Sequence, residues 1–189
     1  MMPWVIIDFK RDELINSIEK AEYITFDSEL PKRPGIYILP VLPGEEVELT
    51  DFFWRVYNRA DGSYENAIGI YVDESTMIDR SNKAFHAILT QGRSKKIPVF
   101  ILTQRPRHLS VYCFSEASIY QVFDLIRKDD RIKVAEDTGV SPYYKLDDYH
   151  SYYFIVSDKS LHKLSPVPDE ETILAKIDAK LPTRRLKAM

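Results

Sequence analysis

Hydrophobic residues in this chain form short continuous runs, and stretches with apolar positions three and four apart lie between them. Short runs are typical of strands buried on both faces, and the amphipathic stretches are typical of helices packed on them. The predicted strands are 4–9, 23–26, 36–39, 67–72, 97–103 and 119–125. The predicted helices are 11–20, 51–59, 79–91 and 127–137, with a loop at 40–50 and a helix C-cap at Gly92. Strands that alternate with helices predict a three-layer, mainly parallel α/β sheet.

The composition changes after Gly139. A predicted hairpin with strands at 153–156 and 161–164 is followed by a final helix at 169–180. Five tyrosines crowd its start: Tyr143, Tyr144, Tyr149, Tyr152 and Tyr153. Stacking on nucleic-acid bases is one role that these tyrosines suit, but we favour the interpretation that they pack a peripheral hairpin. We expect residues 141–189 to extend the same domain as residues 1–140, with no independent second domain.

Composition excludes several classes of protein. The chain has 189 residues, of which 44% are hydrophobic and 29% charged, as in ordinary globular domains. Neither a membrane-spanning run nor a signal-peptide pattern is present. The single Cys113 excludes an intramolecular disulfide and a multi-cysteine zinc site, and it is consistent with a reducing cytoplasm. His86 and His108 lack the partners that a metal site requires, so we interpret both as surface or core residues.

Positive charge is concentrated in one segment, although the net charge is only −3. Residues 80–115 contain seven basic residues and no acidic residue, whereas the rest of the chain carries 19 basic and 29 acidic residues. Such a segment suits contacts with phosphate, from a nucleotide or from nucleic acid. A solvated junction between helix and strand is the alternative interpretation.

Polar residues follow two of the predicted strands directly. Asp73 and Glu74 come after the run Ile68–Val72, and Gln104 follows the run Pro98–Leu102. Ligands bind at the carboxyl edge of open α/β sheets. Asp73 is suited to bind Mg²⁺, directly or through water, and Glu74 to act as the base that polarises an attacking water. The alternative for the two acids is a strand end followed by a helix N-cap.

These motifs, in this order, resemble the HerA/FtsK family of DNA-pumping P-loop ATPases. Asp73-Glu74 looks like the Walker B element, and Thr103-Gln104-Arg105-Pro106 resembles the polar-sensor strand. The segment Ala84–Arg93 is similar to the family's helix that ends in a Gly-Arg pair, and Trp4–Lys10 resembles the strand after the family's first helix. The resemblance covers about residues 4–135.

The resemblance implies an ATP and Mg²⁺ site with assigned roles. Asp73 would bind the metal, Glu74 would be the catalytic base, and Gln104 would sense the γ-phosphate through the attacking water, with Thr103 beside it at the nucleotide. Arg93 would be an arginine finger that acts on the neighbouring subunit of a ring. Its competitors are Arg105 and Arg107, for which a solvated loop charge is the alternative. Separately, Asp8 and Lys10 match the family's second strand, and the resemblance gives them no clear role.

The phosphate-gripping loop of the family, G-x-x-x-x-G-K-[ST], is missing from this sequence, because none of its six glycines is followed by Lys-Ser or Lys-Thr. The loop with its strand and helix would need roughly 25 to 40 residues before Met1. The chain is therefore either an N-terminal truncation or a degenerate member, and we favour truncation. Residues 1–189 alone should bind ATP poorly and be inactive, since the β- and γ-phosphates lose their cradle.

The resemblance further implies part of an ATP-driven DNA translocase or packaging motor that assembles as a homo-oligomeric ring, a hexamer in the family. A small protein of this type suggests a phage or mobile element, located in the host cytoplasm or the virion. The alternative is a non-catalytic scaffold or nucleic-acid-binding module that keeps the ATPase fold. ATP, Mg²⁺ and DNA are the ligands expected of the motor.

Overall fold

The computed structural model describes residues 2–139, 152–156, 161–164 and 168–182. Three of the five tyrosines singled out above, Tyr143, Tyr144 and Tyr149, lie outside these ranges. The chain divides into two compact units. The first comprises Met1–Leu102 and Asp169–Met189, and the second comprises Thr103–Pro168. The C-terminal helix belongs to the first unit. The predicted division at residue 140, within one domain, stays a prediction.

A five-stranded parallel sheet forms the first unit, with the strand order β2-β3-β1-β4-β5. Its strands are β1 (Pro3–Asp8), β2 (Glu22–Tyr23), β3 (Gly35–Pro40), β4 (Gly69–Asp73) and β5 (Val99–Ile101). The prediction of a mainly parallel α/β sheet is confirmed. The expectation that the strands before Asp73 and Gln104 are neighbours is also confirmed, because β4 pairs with β5 in parallel register.

Helices cover this sheet. They are α1 (Glu13–Asn16), α2 (Glu46–Arg59), α3 (Lys83–Lys95) and, after the second unit, α6 (Glu170–Lys180). The helices α1 and α6 pack on one face of the sheet. There Ile6 and Ile38 belong to a hydrophobic cluster against which Ile177 packs. Side chains alternate along a strand, so buried residues such as Val5 and Ile70 face the opposite side. We place α2 and α3 on that second side, which completes the three layers.

The helix α2 begins five residues earlier than predicted. Residues 46–50 are helical rather than part of a loop, because Leu49 is the first member of the buried face. The other members follow at helical spacing: Phe52, Phe53 and Val56. The breakers Pro43 and Gly44 therefore confine the loop to the residues before Glu46.

The helix α3 runs through Gly92 to Lys95, and its C-cap is Lys96, whose backbone is left-handed with φ 60°. The prediction of Gly92 as the C-cap was therefore wrong. Gly92 is buried, and its carbonyl accepts a hydrogen bond from Ile97 N at 2.8 Å. A Cβ at this position would lie 3.0 Å from Ile97 O. The close return of the chain toward β5 therefore favours glycine at this position.

The second unit contains an antiparallel sheet with the order β6-β7-β8 and two helices. The elements are α4 (Tyr112–Ser115), β6 (Ile119–Val122), α5 (Lys128–Thr138), β7 (Tyr152–Val156) and β8 (Leu161–Leu164). Its core contains Phe114, Val122 and Val134. The strand predicted at 119–125 therefore belongs to this sheet and not to the parallel one, because only one of its faces is buried, as is typical of antiparallel strands. In the described ranges, no helix combines the length and the apolar character that crossing a membrane requires.

Candidate functional site

The carboxyl ends of β1 and β4 lie side by side at one edge of the parallel sheet. The register pairs Asp8 with Asp73 as the last residues of the two strands. On the other side of β4, Leu102 N donates to Val72 O at 3.0 Å and Ser75 N donates to Leu102 O at 2.8 Å. Three strands therefore deliver their ends to the same place, which is where an open α/β sheet binds its ligands.

Glu74 is held at the tip of β4 in an unusual conformation. Its backbone is left-handed, with φ 58° and ψ 62°, which is uncommon for a residue other than glycine. Its side chain is only 11% exposed. Lys10 Nζ donates to Oε2 at 2.7 Å, and the Thr76 hydroxyl donates to Oε1 at 2.6 Å. Strain of this kind is found at functional sites, where the surrounding structure maintains it.

Asp8 organises the turn that follows β1. Its side chain is fully buried, and Oδ1 accepts hydrogen bonds from the amides of Lys10 at 3.1 Å and Arg11 at 2.7 Å. Arg11 has a left-handed φ of 55°. The buried carboxylate thereby sets the direction in which the chain leaves β1, and it places Lys10 beside Glu74. The hydrogen bond to Glu74 raises the pKa of Lys10 above its ordinary value, so the ammonium form is favoured.

Two buried carboxylate oxygens at this edge have no hydrogen-bond partner in the part of the chain that the structure describes. Among the residues that the structure describes, neither Asp8 Oδ2 nor Asp73 Oδ2 accepts a hydrogen bond. Burial raises the pKa of Asp73, and although Lys10 lowers it, the nearby acidic groups, including Asp8, raise it further. An unpartnered carboxylate in this position is suited to a cation, which would supply the missing interaction.

The residues present fit a magnesium ion that is shared with a phosphate ligand. Carboxylate oxygens are the protein ligands that Mg²⁺ prefers, and in phosphate-bound sites it takes only one or two of them. Asp73 Oδ2 offers such an oxygen. Within the described part of the chain, no group of three or more His, Cys, Asp or Glu side chains is arranged to hold a metal. The site is therefore compatible with Mg²⁺ bound through phosphate and water.

Thr103 and Gln104 begin the second unit, directly after Leu102 of the first unit. The Thr103 hydroxyl accepts a hydrogen bond from the amide of Arg105 at 2.9 Å, so it stabilises the local turn. Gln104 is exposed. The structure thus brings Asp73 and Glu74 together with Lys10 and Asp8 in the first unit, and Thr103 and Gln104 belong to the other unit.

Two of the three candidate arginine fingers are engaged by acids of α5. Arg105 Nε donates to the buried Asp130 at 2.9 Å, and the Arg107 side chain donates to Asp129 at 2.8 Å. The amide of Arg107 also donates to Asp130 at 3.1 Å. These contacts explain both arginines as residues that fix the turn after Gln104 onto α5.

Arg93 lies in the last turn of α3 and is exposed. No salt bridge of its guanidinium occurs within the described ranges of the chain. Of the three arginines, it is the one that the described contacts leave accessible to a neighbouring molecule.

The sequence contained only a weak signal for the contacts that Lys10 and Thr76 make with Glu74. Lys10 is 64 residues away from Glu74 in the chain, so spacing could not connect them. The available signal was that Lys10 matches the second strand of the HerA/FtsK family, which this sequence resembles. Thr76 lies two residues after Glu74, where a hydroxyl beside an acid is too common to indicate a role.

Replacing Asp73 with asparagine should make the chain more stable at pH 7. Burial raises the pKa of Asp73 above the ordinary 3.8, so the folded state binds the proton more tightly than the unfolded state. The stabilising contribution is complete below that ordinary value and is lost as the pH rises through the folded pKa. The charged carboxylate at pH 7 therefore opposes folding. With allowance for solvent screening, we expect a rise in Tm of about 2 °C in thermal unfolding.

The same melts at pH 3 provide the comparison, because wild-type Asp73 is then protonated and the difference should vanish. Asp27→Asn, at an exposed position of the same unit, is the matched control and should have no such effect. A lower Tm for Asp73→Asn than for wild type at pH 7 would show that the carboxylate stabilises the fold.

Comparison with known proteins gives one match in sequence and several in structure. The DNA packaging ATPase P9 of Enterobacteria phage PRD1 is 36% identical over 186 residues, and the match covers 93% of this chain and 79% of that protein. No protein-family model matches the chain.

Experimental structures of a viral genome-packaging NTPase, B204, have a similar fold. B204 of Sulfolobus turreted icosahedral virus 2, in complex with ATP-gammaS, has a TM-score of 0.59 at 12% identity, covering 88% of this chain and 98% of that one. B204 of Sulfolobus turreted icosahedral virus has a TM-score of 0.57 at 16% identity, covering 89% and 100%. At sequence identities this low, the similarity shows a shared fold alone.

Proposed function

We propose that this chain, which belongs to the family of the DNA packaging ATPase P9 of Enterobacteria phage PRD1, is part of a motor that packages viral DNA by hydrolysing ATP. The observation that carries the chemical part of the proposal is the position of Asp73 and Glu74 at the carboxyl end of β4, beside the buried Asp8. The similarity in fold to packaging NTPase B204 supports the same conclusion. We further propose that the motor is of the HerA/FtsK type and that Asp73-Glu74 is its Walker B element.

In this mechanism Glu74 accepts a proton from the water that attacks the γ-phosphorus of ATP. A bond forms between the water oxygen and phosphorus, the bond to the β–γ bridging oxygen breaks, and ADP leaves with that electron pair. From the resemblance alone, we also propose that Gln104 senses the γ-phosphate and that Thr103 binds the nucleotide. Asp73 would hold Mg²⁺, which would neutralise charge on the phosphates. Each role suits the chemistry of the side chain, and Asp73 and Glu74 follow one another at a single strand end.

The motor acts on DNA as a homo-oligomeric ring, and we propose a hexamer. The basic segment 80–115 suits the phosphate backbone of DNA, because it carries seven positive charges and no acidic residue. Arg93 is exposed in that segment, and we propose that it acts on the nucleotide of the next subunit. The motor works in the host cytoplasm or at the virion.

An ATP hydrolysis assay of this chain requires an added phosphate-binding loop, because the sequence contains no G-x-x-x-x-G-K-[ST] run. We define the loop-complemented protein as residues 1–189 preceded by a strand–loop–helix segment that carries this motif. It should hydrolyse ATP and do so faster with duplex DNA, whereas residues 1–189 alone should bind Mg-ATP poorly in calorimetry. Steady-state phosphate release with and without DNA measures the first expectation.

The matched control replaces the lysine of the added loop with alanine and should abolish hydrolysis, because that lysine contacts the β- and γ-phosphates. DNA binding without any ATP hydrolysis by the loop-complemented protein would favour a non-catalytic, nucleic-acid-binding module. Micromolar Mg-ATP binding by residues 1–189 alone would point to a different nucleotide site.

A further inference from the structure

Asp130, in the first turn of α5, is a buried acid to which the proposed mechanism gives no role. Its side chain is 2% exposed. Oδ2 accepts a hydrogen bond from Arg105 Nε at 2.9 Å, and Oδ1 accepts one from the backbone amide of Arg107 at 3.1 Å. A carboxylate is costly to bury unless its oxygens are paired. Both oxygens of this buried charge therefore bind a single turn, residues 105–107.

The turn 105–107 is also constrained by local contacts. The amide of Arg105 donates a hydrogen bond to Thr103 Oγ1 at 2.9 Å. Pro106 is buried, and its ring restricts the backbone at the centre of the turn. A carboxylate that binds the first and the third residue of such a turn fixes both its position on α5 and its orientation.

Gln104 lies between two points at which the chain is held. Before it, the backbone amide and carbonyl of Leu102 form hydrogen bonds with β4 and with the turn after β4. After it, Arg105 is held by Asp130. Only Thr103 and Gln104 separate these two points in the sequence. Because two residues span a short distance, a displacement of the turn changes the position of Gln104 directly.

We propose that Asp130 is a positioning residue for ATP hydrolysis, which places Gln104 for its role by holding Arg105 and the amide of Arg107. The inference rests on the proposed function, in which Gln104 senses the γ-phosphate. Asp130 itself touches neither ATP nor the attacking water, and it acts only through the turn. The packing of α5 in the second unit thereby contributes to the rate of hydrolysis.

Asp130→Asn should lower the kcat of the loop-complemented protein about tenfold, because a misplacement on the order of 1 Å is sufficient for such a loss. The asparagine amide group has the size of the carboxylate, but it lacks the charge and one acceptor oxygen. The KM for ATP should change less than about twofold, as for an interaction made in the transition state. Steady-state ATPase kinetics measure both constants.

The same substitution in a Gln104→Ala background should lower kcat less than about twofold further, because the residue through which Asp130 acts is then absent. Wild type, the two single variants and the double variant complete the comparison. A residue that only maintains the fold would lower kcat equally in both backgrounds, and this result would overturn the inference.

Asp129→Asn is the matched control, because Asp129 is the preceding acid of the same helix turn and binds the Arg107 guanidinium at an exposed site. It should retain the kcat of wild type, and a loss in Asp130→Asn no larger than in this control overturns the inference. Arg105→Gln removes the charged partner at a position that is 36% exposed and should reproduce the loss. That variant decides the question if Asp130→Asn does not fold.

Hydrogen exchange of residues 1–189 without nucleotide provides a measurement independent of activity. Peptides covering residues 103–109 should exchange faster in Asp130→Asn than in Asp129→Asn, since the Arg107 amide loses its charged acceptor. Unchanged exchange overturns the inference and leaves the proposed function intact. Full activity of Gln104→Ala also overturns it, while loss of turnover in Glu74→Gln would still support the motor. A wild-type loop-complemented protein that hydrolyses no ATP overturns both.

Discussion

Glu74→Gln should reduce ATP turnover by the loop-complemented protein about 10²- to 10⁴-fold, the contribution that a positioned general base makes. Glutamine has the size of glutamate, and its amide oxygen can still accept the hydrogen bond from Lys10. The fold of the β4 tip should therefore persist, and ATP should still bind with nearly the affinity of wild type. Single-turnover hydrolysis and calorimetric binding of Mg-ATP separate the two effects.

Glu48→Gln is the control for this substitution, because Glu48 is an exposed acid of α2. It should leave both turnover and binding unchanged. Full activity of Glu74→Gln would end the mechanism. An equal loss of ATP binding and turnover would instead indicate that Glu74 maintains the structure of the nucleotide site, as its strained backbone and buried side chain would also allow.

Arg93→Ala should lower turnover about 10³-fold or more, in the range observed for arginine fingers of other nucleotide hydrolases. The arginine is exposed at the end of α3, and we propose that it acts on the nucleotide of the next subunit. Rings mixed from Arg93→Ala and Glu74→Gln subunits should then recover activity. An intact Arg93 from one subunit meets an intact Glu74 of its neighbour at about a quarter of the interfaces in an equal random mixture.

Steady-state ATPase assays of the two variants and their mixture provide the measurement, with subunit exchange verified independently. Arg33→Ala removes an exposed arginine from another part of the first unit and should retain turnover. Mixed rings without recovery would make Arg93 a residue that acts within its own subunit or only on the structure. Arg105 and Arg107 would not replace it as candidates, because Asp130 and Asp129 already bind them.

Most strands and helices of the first unit could be predicted from local pattern. The apolar runs that became β1 and β4 are buried on both faces, and such runs are characteristic of a parallel sheet. The start of α2 was missed because Pro43 and Gly44 suggested a longer loop, and burial of Leu49 outweighed that signal. The strand at 119–122 was recognised but assigned to the wrong sheet, since pairing partners far along the chain are not encoded in local spacing.

The candidate site was likewise predictable from the sequence only in part. The sequence by itself determined that Asp73 and Glu74 end a buried strand, because a continuous apolar run followed by two acids specifies both the strand and its polar tip. Only the tertiary structure decided that Asp8 lies beside Asp73 and that Lys10 reaches Glu74. Those contacts depend on the order of strands in the sheet, and that order is chosen by the packing of the whole unit rather than by any one segment.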